Sequence, residues 1–250
     1  MTTWRLVLEY DGTDYGGWQR QPHVTTVQQV VEEALGELFG GEGIRVMASG
    51  RTDAGVHALA QVVSFRAQGV RTADQVQRGL SALLPPQVVC LAATVAEPDF
   101  HALSDARGKH YRYVLRGRGP RSPLRRNRCW TTGFALDAPA MRQALPAIVG
   151  THDFTSFRAA GCSALDPVRT VLAAQLTAHG DEWHVDLHGR GFLRHMVRNL
   201  VGSLVEVGRG RRPPGWLGEV LALRDRRRAG RTAPPQGLFL VAVDYDARGD

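Results

Sequence analysis

At 250 residues the chain is long enough for one large domain or for two of roughly 100–150 residues, each with a core of its own. Hydrophobic residues make up 43% and charged residues 22%; the longest apolar runs fall far short of a membrane span, and the opening MTTWRLVLEYDG has no apolar leader-like stretch, so no membrane partner and a cytoplasmic protein are expected. The net charge of +7 is unevenly spread: residues 1–106 hold 7 arginines against 12 acids, residues 107–250 hold 24 Lys plus Arg against 12 acids. That asymmetry points to a polyanionic partner bound through the second half.

In chain order, WRLVLEY (4–10) has strand character. Val27, Val30, Val31, Ala34, Leu35 and Leu38 then share one helix face, which Thr25 or Thr26 can cap. IRVMAS (44–49) and AQVVSFRA (60–67) read as strands around a glycine-containing loop. A second helix spans about Thr72 to Leu84 and ends at Pro85 and Pro86, before a strand over 88–96. After Pro98 the order repeats. A strand over 109–117 leads into an arginine-rich connection, and a helix from Asp137 has Pro139 in its first turn. Two strands follow, VRTVLAAQLTAH and EWHVDLH, joined around Gly180 and Asp181; next come a helix from about Phe192 to Val207, a short helix over 216–223 and a last strand over 237–245. Both halves read β-α-β-β-α-β. The expected fold is therefore α+β, a tandem duplication of ferredoxin-like, RNA-recognition-like units with a mainly antiparallel sheet, divided as residues 1–106 and 107–250.

Cys90, Cys129 and Cys162 are far apart and odd in number, which argues against a disulfide framework or a C-x2-C zinc site; they read as reduced and buried. In EWHVDLH, His184, Asp186 and His188 alternate with apolar residues. They read as the polar face of a strand rather than as metal ligands, and no metal is expected.

The basic half contains RGKHYRYVLRGRGPRSPLRRNR (107–128), nine Lys or Arg and no acid, and RDRRRAGR (224–231), five arginines and one acid. Two other stretches, DYGGWQRQ (14–21) and KHYRY (109–113), set aromatic beside basic residues, a combination suited to stacking a base while holding its phosphate. Tyr111 and Tyr113 share a strand face, and the pattern does not tell which is exposed. In FLRHMVRNLVG (192–202), Arg194 and Arg198 fall four apart on the expected helix, where a half-buried guanidinium needs an anion. Asp53, in ASGRTDAGVHALAQ (48–61), is a candidate for that anion. Its small neighbours let a flat ring approach closely, although an aspartate in such a place also commonly caps its own turn.

Together, DYGGWQRQ, GRTDAGVHA, KHYRY and FLRHMVRNLVG closely resemble the tRNA pseudouridine synthase A family over residues 4 to about 245. The resemblance implies a duplicated α/β fold with the active site in a basic cleft between the halves. It also implies a homodimer that binds tRNA across both subunits, isomerises uridines of the anticodon stem-loop and uses no cofactor. By the same resemblance Asp53 is the catalytic carboxylate, acting as nucleophile or as base, and Tyr111 packs on the flipped uracil. Arg51 supports the extruded nucleotide, Arg198 pairs with Asp53, and Arg194 is a further substrate contact. Two other readings compete: a non-catalytic RNA-binding protein on the same duplicated sheet with Asp53 only a turn residue, and a metal-dependent nuclease, which the lack of an acidic cluster disfavours.

Overall fold

The computed structural model describes residues 1–41, 43–162 and 164–246. It is a mixed α+β structure whose strand pairs are mainly antiparallel. The chain forms two compact units, Met1–Arg107 joined by the segment from Phe239 onward, and Gly108–Leu238.

In the first unit, β1 (Thr2–Tyr10) buries Trp4, Leu6, Leu8 and Tyr10, the alternation of a strand with one face in a core. Thr26 caps α1 (Val27–Phe39) by accepting from the Gln29 amide, and Gly40 closes it at φ 65°, a left-handed conformation that favours glycine. The chain then passes through β2 (Met47–Ala48) and β3 (His57–Ala67) to α2 (Ala73–Leu83) and β4 (Val88–Val95). A reciprocal capping box between Thr72 and Gln75 starts α2. β1 lies between β3 and β4, antiparallel to both, and β2 pairs antiparallel with the other side of β3. That is the expected split β-α-β order.

The strand expected over 44–49 shrinks to two residues because Glu32 captures its beginning. This glutamate is buried on α1, accepts from the Val46 amide at 3.2 Å, and pairs with Arg45 at 2.9 Å and Arg20 at 3.3 Å. A buried carboxylate needs such partners, and Arg45 and Val46 serve it instead of the sheet.

The second unit contains β5 (Gly108–Arg116), β6 (Trp130–Thr131), α3 (Ala138–Ala144), β7 (Gly150–Asp153), β8 (Val168–His179), β9 (Glu182–Gly189), α4 (Met196–Gly208) and α5 (Trp216–Leu223). Its antiparallel strands run in the order β5-β9-β8-β7, with β6 parallel to the end of β5. The short β6 and β7 were not foreseen, since two and four residues carry no readable alternation. The last strand, β10 (Leu238–Asp244), reads in sequence as the close of the second half. It instead runs parallel to β3 through Phe239↔His57 and Leu240↔Ala58, on the β3 edge that the short β2 leaves open, so that from Phe239 the chain belongs to the first unit.

Helix α4 is buried along most of its length, and the chain after α5 crosses it at two glycines. A Cβ on Gly202 would lie 1.7 Å from the Arg231 carbonyl, and one on Gly230 would lie 2.8 Å from Ser203 Cα. Asn199 ties the crossing down: its Oδ1 accepts from the Thr232 hydroxyl at 2.7 Å and an Arg226 guanidinium N–H at 3.1 Å, while its Nδ2 donates to the Phe157 carbonyl at 2.7 Å. Asn199→Ala strips one buried and two part-buried groups of a partner and should lower stability by about 1–3 kcal/mol, measured as the shift in urea midpoint at constant slope.

Candidate active site

Asp53 sits half-buried in the loop between β2 and β3, and the residues beside it are held from several directions. The Thr52 hydroxyl lies 2.9 Å from the buried Tyr10 hydroxyl, and the Thr52 carbonyl accepts from the Trp18 amide at 3.0 Å. Gln61 Nε2 donates to the Gly50 carbonyl at 2.9 Å and reaches the Tyr10 hydroxyl at 3.4 Å, while its Oε1 accepts from Ser49 at 2.6 Å. The Val56 amide closes the turn on the Asp53 carbonyl at 3.1 Å. Two glycines of the N-terminal segment press against this loop. A Cβ on Gly12 would fall 2.0 Å from the Val56 carbonyl oxygen, and Gly17, at φ 97°, would place one 2.8 Å from the Thr52 carbonyl oxygen. The loop is thus backed by main chain, with Arg51 exposed on it.

The aromatic residues of DYGGWQRQ do not form the expected stacking platform. Tyr15 is 8% and Trp18 2% exposed, and the Trp18 ring lies 6.0 Å from that of Tyr10, so they fill the core behind the loop. His57, at the start of β3, accepts from the Gly12 amide through Nδ1 at 3.1 Å and stacks on Phe239 with ring centres 4.7 Å apart. The sequence reading missed Tyr10, Thr52, Gln61 and the two glycines as supports. Only the glycine spacing in YDGTDYGGW offered a signal.

The other candidates lie in the second unit. Tyr111 on β5 is 8% exposed and meets Phe192 edge to face, ring centres 5.2 Å apart. Tyr113, on the same strand face, is fully buried, donates to the Pro234 carbonyl at 2.7 Å and has its hydroxyl pKa pushed well up by burial. Of the two, Tyr111 is the one with any surface left. Arg198 is half-buried in the first turn of α4, where its Nε donates to the Ala233 carbonyl at 2.8 Å. Arg194 does not share its helix face. Helix α4 begins at Met196, not near Phe192, because His195 adopts a left-handed φ of 61° and the Arg194 carbonyl turns away to accept from the Ala159 amide at 2.9 Å. Arg194 is an exposed loop residue.

His184, Asp186 and His188 do alternate with apolar partners along β9, among them the buried Val185 and Leu187. Asp186 accepts from His110 at 2.8 Å and from Arg112 at 2.9 Å, while His184 stacks on His179 with ring centres 4.1 Å apart. Cys90 and Cys129 are buried free thiols; Cys162 is only half-buried. Among the described residues no helix is long and apolar enough to cross a membrane.

The family model described as tRNA pseudouridine synthase matches residues 6–106 and 144–246, which include Asp53, Arg198 and their supports. The chain belongs to this family. It is similar to curated proteins named tRNA pseudouridine synthase A: at 49% identity to that of Myxococcus xanthus, over 96% of this chain and 91% of the relative. The corresponding values are 48%, 98% and 97% for Syntrophotalea carbinolica, and 46%, 98% and 100% for Geobacter sulfurreducens.

In this pseudouridine synthase family member the support behind Asp53 carries a titratable signature. Burial pushes the Tyr10 hydroxyl up from 10.0 to about 12, against smaller opposing effects of its bonds to Thr52 and Gln61. A phenol harder to ionise when folded than when unfolded stabilises the fold fully below its unfolded pKa. That stabilisation is lost as pH rises from about 10 to about 12. Wild type should therefore lose about 2–3 kcal/mol more than Tyr10→Phe across that window, as read from urea midpoints at each pH.

Proposed function

We propose that the protein isomerises uridine to pseudouridine in tRNA, at uridines of the anticodon stem-loop, with Asp53 as the reacting carboxylate. The match to the tRNA pseudouridine synthase family over most of the chain carries this reading. The pinned loop that presents Asp53 fits it. The reaction breaks the bond from N1 to C1′, turns the uracil and joins C5 to C1′. The departing base returns as the nucleophile, so one carboxylate suffices where a glycosidase needs two. Water must stay out, because hydrolysis would release the base.

A uridine stacked in RNA cannot offer its C1′ to a side chain and has to be flipped out, at a cost of a few kcal/mol. Tyr111 supplies a ring to pack on the extruded uracil, and Arg51, exposed beside Asp53, supports the extruded nucleotide; Arg194 adds a contact to the RNA backbone. Asp53 either attacks C1′ or removes the C2′ proton. Both routes start from the ionised acid. The RNA phosphates bring negative charge to the site, so a cation must stand against them, and Arg198 is that cation in this reading. Its anchoring to the Ala233 carbonyl suits a fixed charge. The working form is taken to be a cytoplasmic homodimer that holds tRNA across both subunits, in keeping with the resemblance of the four sequence stretches to this family.

The decisive experiment incubates unmodified tRNA with the protein, without added metal, and looks for pseudouridine after digestion. Intact unmodified RNA would support a non-catalytic binder, and fragments a nuclease. Asp53→Asn should bind tRNA but form no product; turnover by the pure variant would remove Asp53 from the chemistry. Arg198→Ala should lower the single-turnover rate by about 10²–10³-fold with tRNA affinity little changed. A near-normal rate would remove the pairing with Asp53.

A further inference from the structure

Several arginines of the second unit are neutralised within the protein. Arg112 pairs with Asp186, Arg116 and Arg125 with Asp181, Arg209 with Glu206, Arg224 with Asp153 and Arg227 with Asp225. A group at one end of the sheet differs. Lys109, the only lysine of the chain, stands near the start of β5 opposite Gly189, the last residue of β9. Gly189 also faces Val171 on β8, two residues beyond Arg169, and Arg190 follows directly, its amide donating to the Thr170 carbonyl at 3.0 Å. Two loops reach the same end. They carry Arg158 and Arg194 and are joined by the bond from the Ala159 amide to the Arg194 carbonyl.

Among the described residues, none of these five cations is ion-paired to a carboxylate; Arg169 spends N–H groups on the neutral Asp166 and Val168 carbonyls, at 2.9 and 2.6 Å. Burial and the neighbouring Arg169 charge both hold the Lys109 ammonium below its usual pKa. The half-buried Cys162 thiol is also held below its usual range: burial opposes this, but backbone hydrogen bonds at Ala164 and Arg194 and the charges of Arg158 and Arg169 outweigh it. Positive charge is therefore concentrated here without a direct ion pair among the described residues, although Arg158 also acts at longer range on the Asp153 carboxylate. The place is specific, since Tyr111 lies two residues along β5 from Lys109 on the same strand face, and its neighbour Phe192 is 3.0 Å from where a Gly189 Cβ would be.

We propose that Lys109, Arg158, Arg169 and Arg190 form a binding site for backbone phosphates of the substrate RNA, those flanking the nucleotide that packs on Tyr111. The proposal rests on the tRNA reading above and adds to it the residues that hold the strand on either side of the flipped base. Phosphates can supply the direct ion pairs that these cations do not make within the protein, and guanidinium groups bind them in bidentate fashion. Because the contacts are to phosphate, they position the RNA without selecting its sequence.

The test measures binding of unmodified tRNA by the full-length protein carrying Asp53→Asn, so that no turnover intervenes, across a series of KCl concentrations. Adding Arg169→Ala, Arg190→Ala or Arg158→Ala should each raise Kd several-fold at low salt and lower the slope of log K against log salt by about 0.7–0.9. Arg169→Lys should keep the slope, and Arg78→Ala, which removes an exposed arginine paired with Asp74 in the first unit, should leave it unchanged. In a synthetic anticodon stem-loop, replacing single phosphates by methylphosphonates should reveal one or two positions that weaken binding to the parent protein but not to Arg169→Ala/Arg190→Ala. Unchanged salt slopes in the alanine variants, or no such phosphate position, would overturn the site. Those outcomes are independent of catalysis: product formed by Asp53→Asn would sink the reacting carboxylate and leave the binding slopes as they are.

Discussion

Close contact of main chain with main chain, at Gly12 and Gly17 against the turn from Thr52 to Val56, is the constraint on which the first unit's functional loop depends. Side chains at those two positions would occupy the space of carbonyl oxygens. With them absent, the N-terminal segment can back the loop directly, and the Trp18 amide can reach the Thr52 carbonyl. A loop supported this way loses little freedom when RNA arrives, so a carboxylate on it is already placed before the substrate binds. The polar chain through Tyr10, Thr52, Gln61 and Ser49 serves the same end, each buried group satisfying the next.

In the second unit the comparable constraint is the crossing of the 230–233 segment over α4. Gly202 and Gly230 permit the approach, Asn199 and Arg226 bind the strap, and Ala233 then both donates to the Arg198 carbonyl and accepts from its Nε. A guanidinium fixed at its Nε has fewer rotamers left to lose. That is worth more for an electrostatic role than the same charge on a free side chain.

The resemblance stretches were legible because they combine rare residue types in tight spacing, and GRTDAGVHA falls mostly in a loop as the flanking strand patterns imply, with His57 and Ala58 already in β3. The helices of the first unit could be read from their period; of the two threonines offered as a cap for α1 the structure uses Thr26, and Thr72, read as the start of the second helix, is its N-cap. The start of α4 could not, since FLRHMV keeps a helical apolar spacing while His195 turns into the left-handed region under tertiary restraint. Tyr15 and Trp18 misled for a related reason. An aromatic residue beside an arginine looks the same in sequence whether its ring faces RNA or a core.

Charge shows the division most clearly. The amino-acid sequence by itself determined the family, the alternating element order, the lone aspartate in its glycine-bounded loop and the excess of arginine after residue 107, because each is a matter of residue identity and local spacing. Which arginines keep an uncompensated charge was decided only by the tertiary structure. Asp181, Glu182 and Asp186 lie more than fifty residues from the arginines that they neutralise, and the strand register alone brings them together. The same holds for β10, whose partner is whichever strand edge remains open, and for Arg198, held by a carbonyl that no local pattern points to.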